Sequence, residues 1–112
     1  MHVTFDYLPE FERRAKTLAK RYKSFVKDYQ DLLDELEANP YCGTALGHGV
    51  FKIRMSIASK GRGKSGGALV ITYNAVQEGN DVVVTLMTIY DKSDMSNVSD
   101  AYIKSLLNEI SI

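Results

Sequence analysis

An α+β fold is predicted: a small antiparallel β-sheet with an N-terminal helical hairpin and a short C-terminal helix, in the order β-α-α-β-β-β-α. Three observations carry this. Two amphipathic helical patterns follow a short alternating segment near the N-terminus. An alternating segment and an apolar one then flank a glycine-rich basic loop, which reads as a hairpin. Finally, the run Val82–Tyr90 (VVVTLMTIY) is apolar enough for a strand buried on both faces, and an amphipathic pattern follows it. Hairpin-connected strands favour an antiparallel sheet with the helices packed on one side.

Each element has a local reason. His2–Tyr7 alternates, with Val3 and Phe5 on one face. Pro9 suits a first helical turn, where its missing N–H is no loss. Phe11, Ala15, Leu18 and Tyr22 then recur at helical spacing, with Glu10 and Glu12 early and Lys20, Arg21 and Lys23 late, as the helix dipole prefers. Ser24 is placed to cap a second helix with the stripe Phe25, Tyr29, Leu32, Leu33 and Leu36, which Asn39-Pro40 ends. Tyr41–Gly49, with three glycines (Gly43, Gly47, Gly49), reads as a loop. Strands are expected at Val50–Ser59 and Ala68–Ala75, a turn at Gln77–Asp81, and the central strand at Val82–Tyr90. Ser96 or Ser99 caps a last helix with Tyr102, Ile103, Leu106, Leu107 and Ile110 on its apolar face.

With 112 residues, the chain reads as a single domain, 1–112, large enough to bury a core. Fourteen cations balance fourteen carboxylates, so any steering field must come from local separation of charge. Asp28, Asp31, Asp34, Glu35 and Glu37 gather in one segment and cations in another. Cys42 is the only cysteine, which excludes an intrachain disulfide and suits a reducing compartment. No N-terminal basic segment precedes an apolar run and no apolar run approaches roughly 20 residues. The expectation is therefore a cytoplasmic protein with no membrane association. No His, Cys, Asp or Glu spacing resembles a metal site, and no metal or other cofactor is expected.

The stretch Phe51–Tyr73 carries the chemistry. Lys52, Arg54, Lys60, Arg62 and Lys64 lie within it, with no acidic residue between Lys52 and Lys64. Such a concentration of like charge in a chain of zero net charge points to an anionic ligand, read here as RNA. Strand periodicity puts Lys52 and Arg54 on one face, about 7 Å apart, a separation that suits neighbouring phosphates. The same charges also fit an exposed strand face and a solvated hairpin tip. GRGKS does not make a P-loop: the required earlier glycine is Ala58, and Ala68–Tyr73 reads as strand rather than helix. Tyr90, at the end of the apolar run, fits either a base-stacking role or a place in the core.

KIRMSIASKGRGKSGGALVITY followed by LMTIYDKSDMSNVS resembles the RelE/ParE superfamily of toxins from toxin–antitoxin modules, closest to its HigB-like branch. The shared pattern is K-I-R, a G-x-G-K-x-G-G loop, an apolar strand, then T-I-Y-x-K and a short helix, over roughly residues 48 to 107. The resemblance implies a small RelE-like sheet flanked by helices, ribosome-dependent cleavage of messenger RNA without a metal, and a cognate antitoxin partner. It implies Lys52, Arg54, Tyr90 and Lys92 as catalytic residues, with Lys60, Arg62, Lys64 and Tyr73 contacting RNA. On that reading Lys52 is the base, Arg54 the phosphate clamp, and Lys92 or Tyr90 the group near the leaving oxygen. Neighbouring cations would lower the lysine pKa towards that of a usable base.

One position departs from the pattern. Where the resemblance leads one to expect arginine after G-G-x, this chain has Leu69. A cation there would stabilise charge on the cleaved phosphate, an effect worth ~10²–10³ in rate, and Leu69→Arg would be expected to restore it. The superfamily also includes ParE-type toxins, which act on DNA gyrase. A non-catalytic gyrase binder, or a catalytically impaired homologue that still binds an antitoxin, is the alternative.

Overall fold

The computed structural model describes residues 1–60, 66–95 and 97–110. The order is β1 (Val3–Tyr7), α1 (Pro9–Arg21), α2 (Phe25–Ala38), β2 (Thr44–Gly47), β3 (Val50–Met55), β4 (Ala68–Val76), β5 (Val82–Asp91) and α3 (Asp100–Leu107). The five strands form one sheet in the order β1-β5-β4-β3-β2. This is the predicted α+β arrangement with one strand more. β5 is an interior strand, paired with β1 on one side and β4 on the other, and Val82–Asp91 carries no exposed residue.

Three features differ from the expectation. The segment Tyr41–Gly49 is not all loop: Thr44–Gly47 pairs with β3 as an edge strand. All four of its residues are exposed, so it has no apolar alternation by which to recognise it. The sheet is mixed, because β1 runs parallel to β5 while the other pairs are antiparallel. The helices also divide between the two faces of the sheet. α1 and α2 cover one face over a core that includes Phe11, Leu18, Leu32, Leu36, Ile53 and Val70. α3 covers part of the other, over Val50, Leu69, Ile71, Met87, Tyr90 and Leu106.

Alternation along β3 decides what each face receives. Ile53 and Met55 belong to the α1/α2 core, so Lys52 and Arg54 fall on the α3 face. β3 ends at Met55, short of the predicted Ser59, and Ala58–Lys60 turns as a short 3-10 segment. β4 begins at Ala68 as strand, so among the described residues no α-helix follows the glycine-rich loop; the loop positions 61–65 lie outside the described residues. Gly67 sits where a Cβ would come within 1.9 Å of the Met55 carbonyl oxygen, so only glycine lets the returning chain close against β3.

Helix ends follow the charge pattern. Pro9 opens α1, Glu10 and Glu12 lie in its first turn and Lys20 and Arg21 in its last. Each such charge contributes about 0.3–1 kcal/mol. Ser99 caps α3 by accepting a hydrogen bond from the Tyr102 amide at 3.1 Å; Ser96, the other expected cap, lies outside the described residues. Ser24 does not cap α2 with its side chain. Its hydroxyl donates to Asp28 Oδ2 at 2.6 Å and accepts from the Ser59 amide at 2.9 Å, which ties the start of α2 to the turn after β3.

Candidate functional site

Strand register places the candidate residues in two cross-strand rows on the α3 face. Lys52 lies opposite Ile71, which lies opposite Thr88; Arg54 lies opposite Leu69, which lies opposite Tyr90. Tyr73 shares this face, half-buried beside Val50 in the second core. Lys52 is half-buried and Arg54 is exposed on the part of β3 that extends beyond its pairing with β2. Among the described residues neither makes an ion pair. Arg54 also borders a cleft of about 120 Å³ whose other wall carries Asp28, Asp31 and Glu35 of α2. On that wall Asp31 pairs with Lys27 at 2.6 Å, and Asp28 accepts from Ser24 and the Ala58 amide.

Between the cations and the far strand the surface is closed. Leu69 is only 3% exposed and belongs to the apolar cluster beneath α3. An arginine in its place would enter a core, not a waiting site, so Leu69→Arg is expected to loosen α3 before it adds a phosphate ligand. Tyr90 is 2% exposed, and its hydroxyl is buried with no hydrogen-bond partner among the described residues. Burial pushes its pKa up. In this conformation Tyr90 is a core residue, in a cluster packed by Met95, Val98 and α3, and contact of its hydroxyl with a substrate requires that cover to move. α3 is fastened by Tyr102, whose hydroxyl donates to Glu10 Oε2 at 2.6 Å and lies 2.8 Å from Thr88 Oγ1. Burial would raise the Glu10 pKa, but hydrogen bonds from Tyr102, Arg14 and Arg13 outweigh it and hold the carboxyl at about 2.

The loop cations divide. Arg62 and Lys64 lie outside the described residues. Lys60 does not stand free as expected: its ammonium donates to Asp91 Oδ1 at 2.7 Å and lies 5.3 Å from the centre of the Tyr22 ring. Its side chain is 12% exposed and the Asp91 side chain 0%. Asp91 also accepts from Arg21 Nη1 at 3.0 Å, Tyr22 OH and the Ser93 amide and hydroxyl. Burial opposes its ionisation, but Lys60, Ser93 and Tyr22 together hold its pKa well below the usual carboxylate range. Lys60 thus neutralises a buried carboxylate on the α1/α2 side. Lys92 follows Asp91 as the strand ends; it is half-buried and its amide donates to Gly67 O at 3.4 Å.

Sequence alone gives Asp91 no role of its own and does not join it to Arg21 and Tyr22. A signal existed: a lone carboxylate closing an apolar strand must be paired if it is buried. The partners, from α1 and from the turn after β3, could not be read from spacing. Among the described residues no group of His, Cys, Asp and Glu side chains could hold a metal ion, and no helix is long and apolar enough to cross a membrane.

No protein-family model matches the chain, and no curated protein matches it. Among solved structures, the chain is similar to a mutant of the Escherichia coli toxin RelE in the free state, with a TM-score of 0.57 and 15% identity. The likeness covers 98% of this chain and 100% of that one. At that identity the likeness establishes the fold alone, which is RelE-like.

Proposed function

We propose that this chain is the toxin of a toxin–antitoxin pair, of the HigB-like branch, and that it cleaves messenger RNA on the ribosome. The observation that carries this reading is the pair Lys52 and Arg54 on one sheet face, free of carboxylate partners among the described residues, in a RelE-like fold. RNA supplies its own nucleophile. The 2′-OH gives up its proton and attacks the adjacent phosphorus, and the 5′ oxygen departs with a proton, leaving a 2′,3′-cyclic phosphate and a 5′-hydroxyl. Lys52 takes the first proton and Arg54 holds the charge that builds on the phosphoryl oxygens. Lys92 stands at the leaving-group end, and Tyr90 joins it when the cover over it lifts. Arg62, Lys64 and Tyr73 complete the proposed RNA surface. The reaction requires no metal or other cofactor, and its setting is the cytoplasm.

The partner is a cognate antitoxin with an acidic segment for the basic face and an apolar strip for docking. An apolar groove of about 330 Å³ between α1 and α2, with exposed Tyr7 and Val26 beside it, offers a place for that strip.

A second reading is favoured by one observation. Leu69 and Tyr90 together make an apolar floor, in a cluster packed by Met95, Val98 and α3, which suits a non-catalytic toxin of the gyrase-binding kind or an impaired homologue. Toeprinting of translated mRNA beside a gyrase supercoiling assay separates them. Codon-aligned cuts that vanish with Lys52→Ala support the nuclease; gyrase inhibition without cuts replaces it; silence in both leaves only the impaired homologue.

A further inference from the structure

We propose that Asp91 is a positioning residue for RNA cleavage: it withdraws Lys60 from the RNA surface and fixes the chain on which Lys92 is carried. The inference rests on the nuclease reading above and goes beyond it in naming a residue that touches no substrate. Asp91 lies between the two residues proposed for the leaving-group end, Tyr90 and Lys92, yet its side chain is directed to the opposite face of the sheet. There it joins three parts of the chain. Arg21 and Tyr22 come from the end of α1, Lys60 from the turn after β3, and Ser93 from the turn that follows Lys92. The Asp91 backbone carbonyl accepts from the amides of Asp94 and Met95, which closes that turn. Lys92 is therefore held from both sides, by its own amide on Gly67 O and by the Ser93 turn built on Asp91.

The turn that carries Lys60 has a second anchor. Asp28 Oδ2 accepts from the Ala58 amide at 3.1 Å and from Ser24 Oγ, and Ser24 in turn holds Ser59. Two buried carboxylates, one from α2 and one from β5, thus fix residues 58–60 where the chain leaves β3. The consequence is a sorting of charge: Lys52 and Arg54 remain for phosphate, while Lys60 remains on the other side.

That sorting gives kinetics that a purely structural residue would not. Asp91→Asn keeps a carbonyl at the Oδ1 position for the Ser93 turn and removes the negative charge that Lys60, at that same oxygen, and Arg21, at Oδ2, both neutralise. The freed ammonium adds a cation for RNA, so binding of a single-stranded RNA oligonucleotide becomes more salt-dependent, with the log–log slope steeper by about 0.7. At the same time kcat for mRNA cutting in a translating system falls roughly tenfold or more while KM does not rise. Partial unfolding would instead reduce the active fraction, with KM and the salt slope unchanged. Lys60→Met serves as the second variant and is informative even if Asp91→Asn does not fold: its RNA salt slope equals that of the parent. The double variant Asp91→Asn/Lys60→Met returns the slope to the parental value without returning kcat. A shallower slope in Lys60→Met, or an unchanged kcat in a folded Asp91→Asn protein, would overturn the positioning role alone. A parent chain that neither binds RNA nor cuts mRNA would instead remove the nuclease reading and this role with it.

Discussion

The two faces of the sheet treat the same kind of side chain in opposite ways. On the α1/α2 face, Lys60 and Arg21 converge on buried Asp91, and the surrounding core is broad and continuous. On the α3 face, Lys52 and Arg54 have no carboxylate partner among the described residues. That face is closed by an eight-residue helix fastened through Tyr102. The first face spends its charge on holding the fold, whereas the second keeps its charge available and its cover light. Position in a basic run therefore does not decide what a cation does; strand parity and a carboxylate brought in by tertiary structure decide it.

The largest expected contrast comes from removing one cation on each face. Lys52→Ala should lower mRNA cutting by ~10²–10³ with little change in the urea midpoint, since Lys52 makes no ion pair with a described residue. Equal losses of stability and cutting would show that the second face is structural after all. Next is the depth of the two cores. Leu36→Ala, at a fully buried site on the α1/α2 face, should cost about 2–5 kcal/mol in urea unfolding. Leu69→Arg should expose the α3 amides to hydrogen exchange by placing a charge under the helix, and unchanged protection would contradict the burial of Leu69.

Tyr102→Phe sharpens the same comparison at smaller scale. It removes the hydroxyl shared by Glu10 and Thr88, worth about 1–2 kcal/mol, and the effect should be concentrated in α3 exchange rates. The smallest expected effect is the response to acid. Glu10 has a depressed pKa of about 2, so its contribution is fully present above the ordinary glutamate value of 4.5 and is lost as pH falls towards 2. Asp91, also depressed, acts in the same direction. Glu10→Gln should flatten part of the decline in urea midpoint between pH 4.5 and 2, and an unaltered slope would mean that Glu10 carries none of it.

Much of this architecture could be read from residue spacing, and the exceptions have definite causes. The apolar stripes of α1 and α2, the run of β5 and the Ser99 cap are local patterns, and the elements form where those patterns lie. Period two along β3 correctly separated Lys52 and Arg54 from Ile53 and Met55. β2 escaped notice because an exposed edge strand bounded by glycines has no buried side to mark it. The parallel pairing of β1 with β5 joins residues nearly eighty positions apart, Val3 opposite Val82, and nothing in a five-residue strand specifies that partner. The fate of Lys60 depended on Asp91, 31 positions away, and that of Tyr90 and Leu69 on where α3 comes to rest.

The most direct test is a side-by-side toeprint of one translated mRNA with the parent chain, Lys52→Ala and Lys60→Met. This account requires cuts with the parent and with Lys60→Met, and none above background with Lys52→Ala. Cutting that survives Lys52→Ala but disappears with Lys60→Met would reverse the assignment of the two faces.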